Sequence, residues 1–409
     1  MNLESVLIKL KKSYDKNIPE LNAYRNKVYP DFVLDNRIEK LVAEIPVFTF
    51  HSIEPVEFEK QLQFLAINNY KTLKADEFYQ MLIGKKPIPE KAVLLTFDDG
   101  WASMWTYGYP LLKKYGMYGV CFLIPGIICE EDRDYLNLDD VWEGKISQQE
   151  LIDRDKTEQP YCTWREIRHM ASQGTIDFQS HTMYHSTIFI SPQVADFFHP
   201  GFDSYAGNHN VPIFQTHGVD NVSRQAELGT PIYTHQPRMG GSLRYLDDED
   251  LREKCVEFVA ENGGEDFFSK SNWRKELHQV IENYRSKFGE RGSYESQEEL
   301  EKAIFNDLVE SKRLIEEQLG TVVQHLCYPY YVGSQIAVEL SEKAGYVCNY
   351  WGLLEERRGN NRVGDNPFWV ARLSDELIYR LPGEGRKSPL EILGRKFIKN
   401  SGRLVAKLV

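Results

Sequence analysis

Residues 92–100 read AVLLTFDDG, a continuous run of strand-forming residues that stops abruptly at Asp98, Asp99 and Gly100. An uninterrupted run of this kind predicts a strand that is buried on both faces, as the strands of a parallel sheet are. The polar residues then stand at the carboxyl end of the strand. Reactive residues gather at that end in α/β barrels, so the stretch predicts an α/β fold with its functional site there.

The alternation of strands and helices extends on both sides of this stretch. Before it, a short apolar strand over 45–50 ends at His51 and precedes a helix whose apolar residues are three and four positions apart. After it come a helix, a strand over 118–124, another helix, and a strand over 175–180 that ends at His181. Strands that alternate with helices predict parallel pairing with crossover helices.

Residues 186 to about 294 break this alternation, since they are rich in glycine, proline, histidine and aromatic residues before they turn helical. We interpret this segment as a large insertion. A charged amphipathic helix over 298–319 and a strand over 322–328 resume the alternation. The predicted domains are therefore a charged, mostly helical lead-in at 1–44 and an α/β region at 45–409, which the insertion interrupts; the length suits two ordinary domains or one large barrel.

The composition excludes several classes of function. The chain has 409 residues and a formal net charge of −12, so it lacks the basic field that nucleic-acid binding requires. Hydrophobic residues make up 42% of it, enough for a large core. We find no apolar run of membrane-spanning length and no CxxC pair. We therefore expect a reduced, cytoplasmic protein with no nucleic-acid partner and no transmembrane segment.

The C-terminal residues 393–408 combine basic and apolar residues at spacings that predict an amphipathic helix. A basic amphipathic helix can lie on an anionic membrane surface. We favour the alternative, a helix that packs on the rest of the chain with its charges in solvent. Weak contact with a membrane surface through the C-terminus is thus one of two interpretations that the sequence leaves open.

Two adjacent carboxylates at the end of a buried strand are costly, because Asp98 and Asp99 repel each other and lose water. A divalent cation resolves the conflict if one carboxylate binds it and the other is left as a base. His181 and His185 stand four residues apart, a spacing that on a helical turn puts both imidazoles on one side. Two histidines and one carboxylate form a catalytic metal site with room for water, which becomes a nucleophile near neutral pH.

Taken singly, these motifs are common: Asp-Asp-Gly is usually a turn, and HxxxH is usually a surface or core pair. Here both motifs end predicted strands of the same alternating pattern, and a third predicted strand ends in Tyr-Pro-Tyr at 328–330. This coincidence of placement favours a shared metal site over two unrelated local features.

These motifs resemble those of the polysaccharide deacetylase family, also called the NodB-homology deacetylases. The matching segments are TFDDG at 96–100 for the first motif, SHTMYH at 180–185 for the second, YPY at 328–330 for the core of the third, and FHSI at 50–53 for the usual lead-in. The resemblance covers about residues 45–185 and 320–375. The first two motifs together are its most specific part.

The resemblance implies a distorted (β/α)7-type barrel with one divalent metal ion of the zinc type. Asp99, His181 and His185 would hold the metal, and Asp98 would be the general base that deprotonates a water bound to it. The metal and a backbone N–H near Tyr330 would stabilise the oxyanion. The implied substrate is a carbohydrate with N-acetyl groups, and the products are acetate and a free amine.

The sequence departs from the family pattern at two points. Cys327 stands where the family has the arginine that orients the base, so Arg372 is our candidate for that role, with a surface ion pair as the alternative. The late histidine that serves as general acid is missing, because no histidine follows His325. The insertion offers the histidines His199, His209, His217, His235 and His278. We favour His235, which lies with Arg238 in a loop suited to reach over a pocket, although an ordinary surface position is the alternative.

The predicted function is metal-dependent hydrolysis of an acetamido group on an N-acetylated amino sugar or polysaccharide, with Asp98 and Tyr330 as the catalytic residues. The residues expected to contact the substrate are Pro329, His235, Arg238, Arg372 and Trp351. The insertion begins one residue after His185, so we expect it to pack beside or over the mouth of the barrel. Its aromatic residues Tyr205, Tyr233, Trp273 and Tyr284 stack on sugar rings or fill a core.

Two other functions stay open at this point. One is a carbohydrate-binding relic that keeps the fold and the metal but has lost catalysis. The other is an amidohydrolase of a small acylated or cyclic nitrogen compound. An open groove would suit a polymer, whereas a closed well would suit a small molecule.

Overall fold

The computed structural model describes residues 22–131, 133–202 and 209–392. Its strands are β1 (Val47–Phe50), β2 (Lys71–Thr72), β3 (Ala92–Asp99), β4 (Gly119–Leu123), β5 (Ile176–Ser180), β6 (Thr187–Phe197), β7 (Gln215–Thr216), β8 (Val219–Asp220), β9 (Pro231–Pro237), β10 (Tyr245–Leu246), β11 (Ser293–Tyr294), β12 (His325–Cys327), β13 (Cys348–Tyr350) and β14 (Leu373–Ser374). Its α-helices are α1 (Asp31–Leu34), α2 (Pro55–Ile67), α3 (Ala75–Leu82), α4 (Tyr109–Tyr115), α5 (Leu138–Trp142), α6 (Trp164–Ser172), α7 (Glu249–Glu261), α8 (Trp273–Phe288), α9 (Gln297–Leu319) and α10 (Gln335–Lys343).

The main sheet is parallel throughout, with the strand order β13-β12-β5-β4-β3-β1-β14 and the short β2 beside β3. Its two ends come together, because Tyr350 of β13 forms a parallel bridge to Val370, just before β14. The Trp351 N–H donates to the Val370 carbonyl at 2.9 Å in the same place. The sheet thus curls into a distorted barrel of the (β/α)7 type, and the predicted α/β fold class is confirmed.

The central strand β3 explains why the barrel closes over an apolar interior. All eight of its residues are buried, and successive side chains alternate between the two faces of the sheet. Val93 and Leu95 join the large core beneath the helices, whereas Ala92 and Leu94 join the smaller core inside the barrel. Continuing this alternation puts Asp98 on the interior side, at the carboxyl end.

The described part of the predicted lead-in, residues 22–44, is less helical than its charge pattern predicts. Helix is confined to 22–25 and to α1, and Phe32 and Val33 are buried in the main core. The Arg380 Nε donates to the Val33 carbonyl at 2.8 Å, so this segment packs directly on the barrel. Residues 1–21 and the predicted helix at 393–408 lie outside the described residues. Among the helices described, none is both long and apolar enough to cross a bilayer.

The segment between β5 and α9 forms a subdomain with cores of its own. Strands β6 and β9 pair antiparallel, and α7 and α8 bury a separate apolar cluster against Phe197. The rings of Trp273 and Tyr284 are buried in this cluster, and the ring of Tyr233 is buried in a second one. All three therefore pack in the interior, where a sugar cannot reach them. Tyr205 lies outside the described residues.

The base of this subdomain is tied by a buried ion pair. The Arg238 Nη2 lies 2.9 Å from Glu295 Oε2, and a second contact joins Nη1 to Oε1. Both side chains are less than one tenth exposed. Two backbone N–H groups add hydrogen bonds to this contact. The Arg238 N–H donates to Ser186 O, and the Arg244 N–H donates to Glu295 Oε1. The pair therefore fastens the point where the chain leaves the barrel to the point where it returns.

We expect Arg238→Ala to lower the free energy of unfolding by about 3–5 kcal/mol, because removing one partner leaves the Glu295 charge buried and uncompensated. Urea denaturation followed by circular dichroism measures this change. Arg313→Ala is the matched control, since Arg313 pairs with Glu310 and Glu317 on the solvent side of α9, where the loss should be nearly neutral. Equal destabilisation by the two variants would show that the buried pair contributes no more than a surface pair.

Candidate metal centre and active site

Three buried side chains from the ends of β3 and β5 converge. Asp99 Oδ1 lies 3.4 Å from His181 Nε2 and 3.7 Å from His185 Nε2. One ligand atom from each of the three lies within 4.8 Å of the others. All three side chains are less than one tenth exposed. The structure thus brings together the three residues expected to be metal ligands.

The backbone reaches this geometry through left-handed residues rather than through a helix. Asp99 has φ 76° and Gly100 has φ 83°, so the chain turns sharply where β3 ends. Residues 181–186 contain no helix, and the expected helical turn is wrong. Thr182 at φ 67° and His185 at φ 53° fold this loop back on itself instead, which brings two imidazoles four residues apart to one carboxylate.

The donor atoms fit a cation. Asp99 Oδ2 accepts a hydrogen bond from Trp101 Nε1 at 2.9 Å, while Asp99 Oδ1 is buried without a hydrogen-bond partner in the described structure. His181 Nδ1 lies 2.8 Å from the Cys327 carbonyl. Since a carbonyl only accepts, Nδ1 carries the proton in that bond, and Nε2 is left to face Asp99. One carboxylate and two imidazole nitrogens are a donor set typical of zinc.

Two of the three residues, Asp99 and His185, already carry the charge that ligation needs. Burial raises the pKa of Asp99, but the neighbouring imidazoles lower it more, so its pKa lies well below the usual value and the group is ionised. Burial holds the pKa of His185 well below the usual value, which keeps the ring neutral. Burial lowers the pKa of His181, but the neighbouring Cys327, Asp98 and Asp99 raise it by more, so this pKa lies well above the usual value and a binding cation would have to displace a proton from the ring.

The second carboxylate, Asp98, has a separate partner. Arg372 Nη1 and Nη2 donate to its two oxygens at 2.7 and 2.9 Å, a bidentate pair with both side chains buried. Arg372 is itself held by the Trp351 carbonyl, 2.8 Å from Nε. Burial raises the pKa of Asp98, but the Arg372 charge outweighs it and holds the pKa below the usual value. Asp98 is therefore an ionised carboxylate beside the three predicted metal ligands.

A second set of ligand atoms, on Asp98, His181 and Cys327, also lies within 4.8 Å of one another. It is the poorer metal site for two reasons. Both Asp98 oxygens already accept from Arg372. Burial raises the pKa of the Cys327 thiol, whereas metal ligation needs the thiolate.

The third motif forms the rim of the site. Tyr330 adopts left-handed φ 54° and ψ 16°, and its ring centroid lies 4.4 Å from that of His185. Tyr330 and Tyr331 are both more than one third exposed. Pro329 and Trp351 were expected to contact substrate, but both are buried. The Trp351 carbonyl accepts from Arg372 Nε, and the Trp351 ring stacks on Trp369, so this residue supports Arg372.

The insertion contributes a different histidine from the one expected. His235 is exposed on β9, where its Nδ1 meets the Tyr233 carbonyl, and Arg238 is engaged with Glu295. Within the described residues neither side chain bonds to the two aspartates or the two histidines of the centre. His209 lies there instead, only 2% exposed, with its ring centroid 5.2 Å from that of His185. Burial lowers the pKa of His209 to about 4, despite the opposing effect of Asp99.

His51 is a site residue that the sequence reasoning missed. Its Nε2 lies 3.9 Å from Asp98 Oδ2, and its side chain is 44% exposed. Its ring also meets the edge of Tyr331, with centroids 6.3 Å apart. A signal for it did exist, because His51 directly follows β1, which pairs with β3. It therefore occupies the same kind of strand-end position as Asp98.

Comparison with known proteins gives one family match, two similar relatives and one similar solved structure. Residues 85–196 match the profile of the polysaccharide deacetylase family. YxkH of Bacillus subtilis (strain 168) is 40% identical over 90 residues, which are 20% of this chain and 32% of that protein. The poly-β-1,6-N-acetyl-D-glucosamine N-deacetylase of Escherichia coli (strain K12) is 28% identical over 133 residues, 32% of this chain and 18% of that protein. This chain thus spans a third or less of the length of these two relatives.

Among solved structures, the BpsB deacetylase domain of Bordetella bronchiseptica aligns with a TM-score of 0.47 and 16% identity, over 81% of this chain and 95% of that one.

We expect His181→Ala to abolish tight binding of a divalent ion, because a three-ligand site loses one of its donors. Metal analysis after dialysis should find about one ion per chain in the unaltered protein and far less in the variant. His235→Ala is the control, since that exposed histidine lies on the insertion hairpin, and it should retain the ion. Retention of the ion by His181→Ala would remove His181 from the ligand set.

Proposed function

Because the chain carries a polysaccharide deacetylase domain, we propose that it hydrolyses the acetamido group of an N-acetylated carbohydrate, with a divalent metal ion, zinc by donor type, held by Asp99, His181 and His185. One observation carries this proposal. The two adjacent carboxylates have separate partners: Asp98 is paired with Arg372, while Asp99 faces two imidazoles. This arrangement supports a base and a ligand side by side.

A bound zinc-type ion supplies Lewis acidity, which polarises the acetamide carbonyl and makes water nucleophilic near neutral pH. Asp98 then takes the proton from the attacking water. Arg372 keeps this carboxylate ionised and fixes its plane through two hydrogen bonds. In this way Arg372 does the work of the arginine that Cys327 replaces.

The negative charge that develops on the carbonyl oxygen needs a donor. We assign this role to the backbone N–H of Tyr330, on the turn after β12. The left-handed conformation of Tyr330 and Tyr331, with φ 54° and 61°, bends the chain back at the rim of the site. The Tyr330 ring packs against His185, so the backbone of Tyr330 is held beside the proposed metal ligands.

Collapse of the tetrahedral intermediate requires a proton for the departing amine. We assign this proton to His51, because it is the half-exposed histidine of the site and its Nε2 lies 3.9 Å from Asp98 Oδ2. His209 is less suited, since it is buried and its pKa is about 4. His51 is thus our candidate for the general acid, because the late histidine that has this role in the family is missing here.

The substrate class follows from the rim and the charge. Tyr331 and Val332 expose 43% and 37% of their surface beside the site, and such apolar and aromatic surface suits the faces of sugar rings. The net charge of −12 disfavours polyanions. An uncharged N-acetylated glycan, of the kind named for the Escherichia coli relative, is the substrate class that we propose.

The proposed function is tested by acetate release from N-acetylglucosamine oligomers, including β-1,6-linked ones. We expect turnover that a chelator abolishes and zinc restores. Asp98→Asn should lower kcat by about 10²- to 10⁴-fold, the usual contribution of a positioned base, while the bound ion remains. Near-normal turnover in this variant would transfer the base role to another residue.

The same experiment separates the other functions. A protein that binds the ion but releases no acetate from any oligomer would be a carbohydrate-binding relic. Release of acetate from small acylated amines, or ring opening of cyclic amides, with oligomers untouched, would indicate a small-molecule amidohydrolase.

We expect His51→Asn to lower deacetylation of a sugar amide by about 10²- to 10⁴-fold but to spare hydrolysis of p-nitrophenyl acetate. The phenolate of that ester departs without a proton, so a general acid is not needed. His217→Asn is the control, because the His217 side chain is 84% exposed on the insertion. An equal loss on both substrates would contradict the assignment of His51 as the acid.

A further inference from the structure

The two histidines of the metal centre are supported in different ways. His181 Nδ1 bonds to the Cys327 carbonyl, the arrangement that usually fixes the ring of a metal-ligating histidine. His185 Nδ1 is buried and has no hydrogen-bond partner in the described structure. The His185 ring therefore needs another source of orientation.

Aromatic packing supplies that orientation. The ring centroid of Tyr330 lies 4.4 Å from that of His185, and the ring of His209 lies 5.2 Å away at an interplanar angle of 24°. The two packing residues are joined, since the Tyr330 hydroxyl donates to the His209 carbonyl at 3.0 Å. Tyr330 from the barrel rim and His209 from the insertion thus pack on the same ring, that of His185.

His209 is itself fixed from two sides. Its Nε2 lies 2.8 Å from the Tyr161 hydroxyl, and its carbonyl accepts from Arg224 Nη1 at 2.9 Å. Tyr161 packs on Trp101, which donates to Asp99. The contacts of His209 therefore extend from the insertion to His185 on one side and towards Asp99 on the other.

We propose that His209 is a positioning residue of the metal centre: its ring, stacked on His185, holds that ligand in the orientation that the metal requires. This proposal rests on the proposed function, because it takes a metal ion to be held there. His209 acts through His185 and is not itself a ligand. Among the described residues, the donor atoms that lie close enough together to share an ion belong to Asp99, His181 and His185 at this centre, and His209 is not one of them. On this view the insertion completes the catalytic centre.

The test compares the affinity of the full-length protein for Zn²⁺ in two matched variants. His209→Leu fills the space without a planar ring, whereas His209→Phe keeps the ring, and both lose the bond to Tyr161. Competition with a chromophoric chelator gives the Kd. We expect His209→Leu to raise the Kd for Zn²⁺ by about 10- to 100-fold, as loss of support around a ligand does, and His209→Phe to restore most of the affinity. His235→Leu is the control and should leave the Kd unchanged.

A Co²⁺-loaded protein adds a readout that stability alone would not move. Its visible spectrum should change in His209→Leu and be kept in His209→Phe, because the spectrum reports ligand geometry. A wild-type Kd in His209→Leu, or equal Kd values in the two variants, would overturn the proposal.

Should His209→Leu fail to fold, His209→Gln takes its place, because it removes the ring but keeps a polar group that can bond to the Tyr161 hydroxyl, and a wild-type Kd there would overturn the proposal as well. Absence of Zn²⁺ binding in the unaltered protein would instead overturn the proposed function and this inference together.

Discussion

The structure is organised around two ionised carboxylates at the buried end of one strand. Like charges on neighbouring residues repel strongly when they are buried away from water, and each charge also loses its hydration. The chain resolves this by giving each carboxylate its own counter-charge. Arg372 takes both oxygens of Asp98, and the imidazoles of His181 and His185 face Asp99. Two chemically identical groups thereby acquire different surroundings.

Closure of the barrel makes the first of these pairings possible. Arg372 lies in the segment 370–374, which joins the last strand to the first and so brings the two ends of the sheet together. The Arg372 N–H donates to the Gly352 carbonyl at 3.1 Å, so the backbone that closes the barrel also aims the guanidinium. Cys327 approaches Asp98 from β12, with its sulfur 3.7 Å from Oδ2. The charged partner of Asp98 is therefore an arginine from the closing segment, whereas β12 brings only a thiol near it.

The insertion reaches the same centre by a different route. Its helices and strands have separate apolar cores, so it could have packed far from the site without loss of its own stability. The buried Arg238–Glu295 pair fastens it at its base, and His209 carries its contact to His185. Fastening at the base restricts the conformations open to this segment, which lowers the conformational entropy lost when His209 stacks on His185.

By itself the sequence determined the features that depend on local patterns. An unbroken apolar run predicts β3, alternation of strands and helices predicts the parallel barrel, and polar residues at strand ends predict where Asp98, Asp99 and His181 gather. His51 was within reach of the same rule, because it also follows a strand. Such features are readable since neighbouring residues share one backbone conformation and one face.

The tertiary structure alone decided the rest. Arg372 stands 274 residues after Asp98, and no local pattern distinguishes it from a surface arginine. The choice of His209 over His235 depends on how the insertion folds, and the left-handed turns at Thr182 and His185 replace the helix that their spacing suggested. The physical reason is common to these cases: a buried charge or ligand takes its partner from whatever the folded chain brings within hydrogen-bonding or packing distance, and separation along the sequence does not restrict that choice.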